Sequence, residues 1–159
     1  MNLPKEVEKA VQPLLEAFPI DKAMGQLVVK RGASTANLSL VQDIVKEPAI
    51  AKNPPLCAAL WLYVDELDRS HVISQGIENS TGSFWHGIMH RREGDFSNSH
   101  YWFHRVGKHP AMTGTPDYDP HVFIDEVESL HAKQPGNLVD LQRKEWATLF
   151  SWCAAKGAK

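Results

Sequence analysis

The stretch FWHGIMHRREGDFSNSHYWFHRVGKHP, residues 84–110, carries the densest chemistry of the chain and indicates how it folds. It holds five of the eight histidines, which makes it the first place to look for a function. It reads as two short helices that meet at Gly94-Asp95, because glycine ends a helix readily and aspartate can cap the next one. The stretch therefore predicts a helical hairpin.

Helical spacing of apolar residues extends through most of the remaining chain. Pro13 should kink or split the first helix, since proline has no amide donor. Ser34 or Thr35 is a suitable N-cap for the second, and Pro120 suits a first helical position after the cap Asp119. Helices are predicted over 7–18, 35–46 and 54–77, and from Pro120 and Asn137 onward.

The remaining segments read as connections. Residues 21–31 have a weak helical pattern, with Leu27-Val28-Val29 as an alternative strand. Residues 79–83 and 107–119 are rich in turn-forming residues and predict loops. Seven or eight helices without a convincing strand pair predict an all-α fold, a compact multi-helix bundle. No linker divides the chain, so residues 1–159 are expected to form a single domain.

Composition narrows the classes of function. A chain of 159 residues with 43% apolar and 23% charged residues is typical of one globular domain with a proper core. The net charge of −2 argues against a general affinity for nucleic acid or anionic membranes. Cys57 and Cys153 are single, the N-terminus lacks a signal peptide, and no stretch approaches the roughly 18 apolar residues of a membrane span. We expect a cytoplasmic protein.

The hairpin resembles one tetratricopeptide repeat, a family in which small residues stand where two helices touch and a Gly-Asp-aromatic turn joins them. The matching positions are Gly87, Gly94-Asp95-Phe96, Ser99, Phe103, Val106 and Pro110. The resemblance covers about one repeat, with no second copy at a period of about 34 residues, whereas solenoids usually need roughly three repeats. It implies a repeat-like hairpin inside a bundle. The string HRREGDFSN…YWF is also similar to one in a family of uncharacterised bacterial proteins, which implies no activity.

His86, His90 and Glu93 share one side of the first hairpin helix. At about 100° per residue they fall within roughly 60° of one another, opposite an apolar side. An H-x-x-x-H pair on a helix allows two imidazoles to bind one zinc ion. Metalloproteases of this kind have glutamate directly after the first histidine, where this chain has Gly87, so a protease is disfavoured.

Asp68 and His71 stand on the preceding predicted helix, at positions where core residues would be expected. A short connection would let them face His86 and His90. The three histidines then form a candidate metal site, with Asp68 or Glu93 as a fourth ligand or an orienting partner, and a divalent metal such as zinc as the candidate cofactor. The alternative is polar packing, because buried polar residues commonly satisfy one another's hydrogen bonds.

Basic and aromatic residues mix along both helices of the hairpin, which suits binding of a phosphate, a carboxylate or a stacked base. The candidate ligand-binding residues are Arg92, Asn98, Trp102 and Arg105. The alternative that we favour for the two arginines is pairing with Glu93 or Asp95 across the hairpin, since arginine–carboxylate pairs are common structural contacts.

Other motifs indicate little. His100 and His104 repeat the i, i+4 spacing but stand beside no acidic residue, so a solvated face is predicted for them. Ser70 beside His71 is not a triad by adjacency alone. Serine nucleophile motifs, P-loops and dinucleotide fingerprints are absent from the sequence.

These observations predict a binding protein as the main hypothesis, with a partner protein or a small ligand held in a polar, histidine-rich and aromatic-lined pocket around residues 68–105. The alternative is a metal-dependent enzyme, a hydrolase, with the three histidines as ligands and Glu93 or Asp68 as the catalytic general base. A purely structural subunit is the third class. Nucleic-acid and membrane partners are not expected.

Overall fold

A computed structural model describes residues 1–157, and every regular element in that range is helical. The predicted domain runs to residue 159, so its last two residues lie outside the described range. The prediction of an all-α bundle is confirmed. The α-helices are α1 Lys5–Ala17, α2 Thr35–Ile44, α3 Pro48–Ala51, α4 Pro54–Tyr63, α5 Leu67–Gln75, α6 Ser80–Glu93, α7 Phe96–Val106, α8 Pro120–Leu130 and α9 Gly136–Gly157. Short 3-10 helices span Pro110–Gly114 and His131–Lys133.

Helices α4 and α6 form the centre of the bundle. Helix α6 is buried without interruption from Thr81 to Arg92 and packs against α4, α5 and α7. Helix α9 covers α4 and α8, while α1 packs on α2 and α3. A helix buried on all sides must satisfy its polar side chains inside the protein. The polar residues of α6 therefore decide where its internal contacts and candidate sites lie. None of the helices described in residues 1–157 is long and apolar enough to cross a membrane.

The hairpin of α6 and α7 has the predicted turn. Gly94 ends α6 with a φ of +86°, and the Asp95 carboxylate accepts a hydrogen bond from the Asn98 amide at the start of α7. A Cβ atom on Gly87 would lie 2.7 Å from the Phe103 ring, so only glycine allows this approach. The hairpin thus depends on a left-handed residue at its turn and a bare backbone at its crossing.

The single helix predicted over 54–77 is wrong. The chain breaks between α4 and α5 at Asp65, which has a φ of +65°. The buried Arg92 guanidinium explains the break, because it donates to the Leu62 carbonyl at 2.7 Å and to the Asp65 carboxylate at 2.5 Å. The turn brings α5 back against both α4 and α6.

Several smaller expectations also need correction. Residues 79–83 are not a loop, because the Asn79 side chain caps the Gly82 amide and α6 begins at Ser80. The 107–119 connection contains the 3-10 helix over 110–114, and residues 21–31 are neither helix nor strand. Pro13 lies inside α1 without splitting it. At the start of α6, the Asn79 cap thus outweighs the loop-like local composition.

Candidate metal centre

Three imidazole rings meet where α5 packs against α6. His86 and His90 lie one turn apart on α6, with ring centroids 4.7 Å apart, and His71 comes from α5. The His71 ring centroid lies 4.7 Å from that of His86 and 5.2 Å from that of His90. One nitrogen from each ring falls within 4.8 Å of the other two. The structure thus brings together the three histidines that the sequence nominated as ligands.

His86 is buried without a hydrogen-bond partner. His86 is only 3% exposed, and neither Nδ1 nor Nε2 of its ring has a hydrogen-bond partner among residues 1–157. The Trp102 ring stacks on the imidazole at a centroid distance of 3.9 Å. Burial lowers the pKa of His86 to about 4, with further lowering from His90 and His71. The ring is therefore neutral at neutral pH, the form that binds metals.

His90 is oriented by a carboxylate. Its Nδ1 atom lies 2.6 Å from Oε1 of Glu93, one turn further along α6, and 3.9 Å from Oδ2 of Asp95. In neutral His90 the proton resides on Nδ1 and is donated to Glu93, which leaves the Nε2 lone pair free. Metal-binding histidines are commonly held in this way. Glu93 keeps 38% of its side chain exposed, so this edge of the cluster reaches solvent.

The other candidate residues lie at the rim or elsewhere. Trp102 and Arg105 line a groove of about 560 Å³, and the Arg105 guanidinium lies 5.3 Å from the Trp102 ring centroid. Asn98 is exposed and donates to the Asp95 carboxylate at 2.8 Å, so it belongs to the cap of α7. Asp68 is exposed one turn before His71, in a shallow groove with other residues of α5.

The favoured pairing of the two arginines across the hairpin is wrong. The Arg92 side chain lies on the side of α6 that faces away from the histidine cluster. Its guanidinium donates there to the backbone carbonyls of Leu62 and Gln26 and to the Asp65 carboxylate. The physical reason is that α6 is buried on all sides, so the Arg92 side chain contacts α4 and not the hairpin turn. Arg105 lies over aromatic rings and forms no ion pair with the residues described in the range 1–157.

Sequence reasoning missed two polar clusters. His100 was expected on a solvated face, but it contacts His121 and Asp125 of α8. Fully buried Arg91 forms two hydrogen bonds to Glu145 of α9, at 2.7 and 3.0 Å. The H-x-x-x-D spacing of His121 and Asp125 was a signal in the sequence, whereas nothing local indicated the Arg91 pair.

Comparison with known proteins adds no further constraint on the site. No protein-family model matches this chain, and no curated protein or solved structure shows significant similarity to it.

Proposed function

We propose that this protein binds a divalent transition metal, zinc in the first place, through His71, His86 and His90, and that the metal holds a small ligand at its open position. Three imidazoles with a fourth position left open are a common ligand set for functional zinc. A groove lined by Trp102 and Arg105 would hold the rest of the ligand, since the Trp102 ring that lines it stacks on His86.

The observation that carries the proposal is that the His86 ring is buried without a hydrogen-bond partner among the described residues. A buried polar group without a partner costs about 1–3 kcal/mol, so native proteins rarely leave one unless something else binds it. Two nitrogens bound to one tetrahedral zinc at about 2.0–2.1 Å lie roughly 3.3 Å apart. The ring nitrogens here lie within 4.8 Å of one another, so zinc binding would draw them closer by up to about 1.5 Å.

Glu93 supports a second candidate function, that of a metal-dependent hydrolase. Its contact with His90 provides the orienting carboxylate typical of zinc sites, and its partly exposed side chain marks the solvent side. Zinc lowers the pKa of a bound water to about 7, which supplies a nucleophile at neutral pH. In this role Glu93 is a positioning residue and would act as general base only after releasing His90.

The proposal is tested by metal analysis of protein purified without a histidine tag. The parent should bind zinc at near-stoichiometric levels, and His86→Ala and His90→Ala should each lose one equivalent while keeping their far-ultraviolet circular dichroism. His131→Ala is the matched control, because His131 contacts Phe96 and lies outside the cluster of His71, His86 and His90. Unchanged zinc binding in both cluster variants would overturn the proposal. The hydrolase function is tested separately with activated ester and phosphoester probes. Hydrolysis by the parent that is lost in His86→Ala and His90→Ala would support it.

A further inference from the structure

A polar groove adjoins the three proposed metal ligands. Residues of α5, α6 and α7 line it, and its volume of about 560 Å³ is within the range of roughly 300–1,000 Å³ typical of small-molecule sites. On α5, Ser74 of the lining stands three residues after His71. On α6, Ser83 of the lining stands three residues before His86. Both helices therefore carry the groove at one turn from a proposed metal ligand.

Arg105 of α7 supplies this groove with a positive charge. Its guanidinium lies 5.3 Å from the Trp102 ring centroid, and the Trp102 ring stacks on His86 at 3.9 Å. Within residues 1–157 the guanidinium has no carboxylate partner, and it donates only a long hydrogen bond of 3.5 Å to the Tyr101 hydroxyl. The aromatic contacts hold the guanidinium at the groove, while most of its five N–H donors stay free for a ligand.

Two uncharged side chains add hydrogen-bond donors to the groove. Ser83 lines it although the residue is only 7% exposed, and its hydroxyl forms no hydrogen bond with another residue of the described range. The Asn79 side-chain oxygen accepts from the Gly82 amide at 3.0 Å, which leaves both N–H groups of its amide for another partner. Asn79 and Ser83 stand at the start of α6, where the helix dipole favours negative charge.

We propose that this groove binds the oxyanion group, a carboxylate or a phosphate, of the small ligand of the metal centre. Arg105 forms the charge-assisted hydrogen bonds, because its planar fork of donors matches both oxyanions. Ser83 and Asn79 donate to the remaining oxygens. The inference rests on the proposed function for the other end of the ligand, which the metal holds.

Glu78 opposes the bound oxyanion. It lines the groove from the connection between α5 and α6, it is exposed, and it forms no ion pair with Arg105. Solvent and salt screen the repulsion between exposed charges, whereas the hydrogen bonds from Arg105 are made in direct contact. The two residues thus affect oxyanion affinity with opposite signs, and Arg105 has the larger effect.

Titration of the metal-free protein in EDTA tests the groove alone, with inorganic phosphate and acetate as separate probes. The ¹H–¹⁵N NMR signals of Arg105 Nε–H and Trp102 Nε1–H should shift and saturate, and the probe with the lower Kd identifies the preferred oxyanion. Arg105→Met should raise that Kd at least about tenfold. Arg105→Lys should restore part of the affinity, since it keeps the charge without the planar fork. Glu78→Gln should lower the Kd about two- to threefold.

The matched control is Lys108→Met, which removes an exposed cation outside the groove and should leave the Kd unchanged. Absence of a saturable shift with either probe would overturn the inference, as would equal Kd values for Arg105→Met and the parent.

Zinc analysis of the same proteins separates this inference from the proposed function. Arg105→Met should keep its zinc, because Arg105 is not a proposed metal ligand. A parent that binds zinc but neither oxyanion would overturn the inference and leave the metal centre intact. A parent that binds an oxyanion through Arg105 but no zinc would support the groove and remove the metal centre.

Discussion

Replacing His86 by leucine should distinguish a metal ligand from an ordinary buried histidine. In the metal-free protein, His86→Leu removes two buried nitrogens that have no partner. Removing an unsatisfied polar group recovers about 1–3 kcal/mol. Losing the ring stacked on Trp102 at 3.9 Å costs about 0.5–1.5 kcal/mol. We therefore expect the stability of the variant at pH 7.5 to lie between about 0.5 kcal/mol below and about 2.5 kcal/mol above that of the parent.

The same substitution should flatten the acid side of the stability curve. The pKa of His86 is lowered from 6.5 to about 4 in the folded protein, chiefly by burial. Between these values the unfolded chain binds more protons than the folded protein, so the free energy of unfolding falls as the pH falls. From pH 7.5 to 5.0 this difference removes about 2 kcal/mol from the parent. His86→Leu should lose about that much less over the same interval.

Urea denaturation in EDTA at pH 7.5 and 5.0 measures both effects, and adding zinc completes the comparison. At a free zinc concentration 100 times the Kd, a site present only in the folded protein contributes about 2.7 kcal/mol. His86→Leu should lack this contribution, because it removes one of the three proposed ligands. A variant that is less stable than the parent by more than about 1 kcal/mol at both pH values would refute the reasoning. That result would mean that His86 is hydrogen-bonded in the folded protein and serves packing.

Three further substitutions test the neighbouring contacts. Glu93→Gln should weaken zinc binding by the three histidines about 10- to 100-fold in calorimetry, because His90 loses its orienting carboxylate, while an unchanged Kd would exclude that role. Gly94→Val should lower the melting temperature, since a β-branched residue is strained at a φ of +86°. Phe103→Ala should cost about 3–5 kcal/mol in chemical denaturation, since it empties a buried position against Gly87. Unchanged stability in both of the last two variants would contradict the hairpin packing.

The local parts of this fold followed from the sequence. The helix end at Gly94, the Asp95 cap and the Asp119-Pro120 start of α8 were all predicted, and the structure confirms them. Helix periodicity and capping depend on residues within about four positions, so one segment contains all the information they need. The grouping of His86 with His90 on one face is of the same kind. The resemblance to a tetratricopeptide repeat and the single-domain organisation remain predictions.

Only the tertiary structure determined which side chains are buried and which residues they contact. The break at Asp65 depends on Arg92, 27 positions later, and the contact of His100 with His121 spans 21 positions. The sequence showed an i, i+4 histidine pair at 100 and 104 but not that His121 of α8 would contact both of its members. Likewise, the i, i+4 pattern of α6 does not reveal that Trp102 stacks on His86, or that the buried His86 ring has no hydrogen-bond partner among the described residues. Burial and partnership depend on how distant helices pack, and helical periodicity describes only one helix at a time.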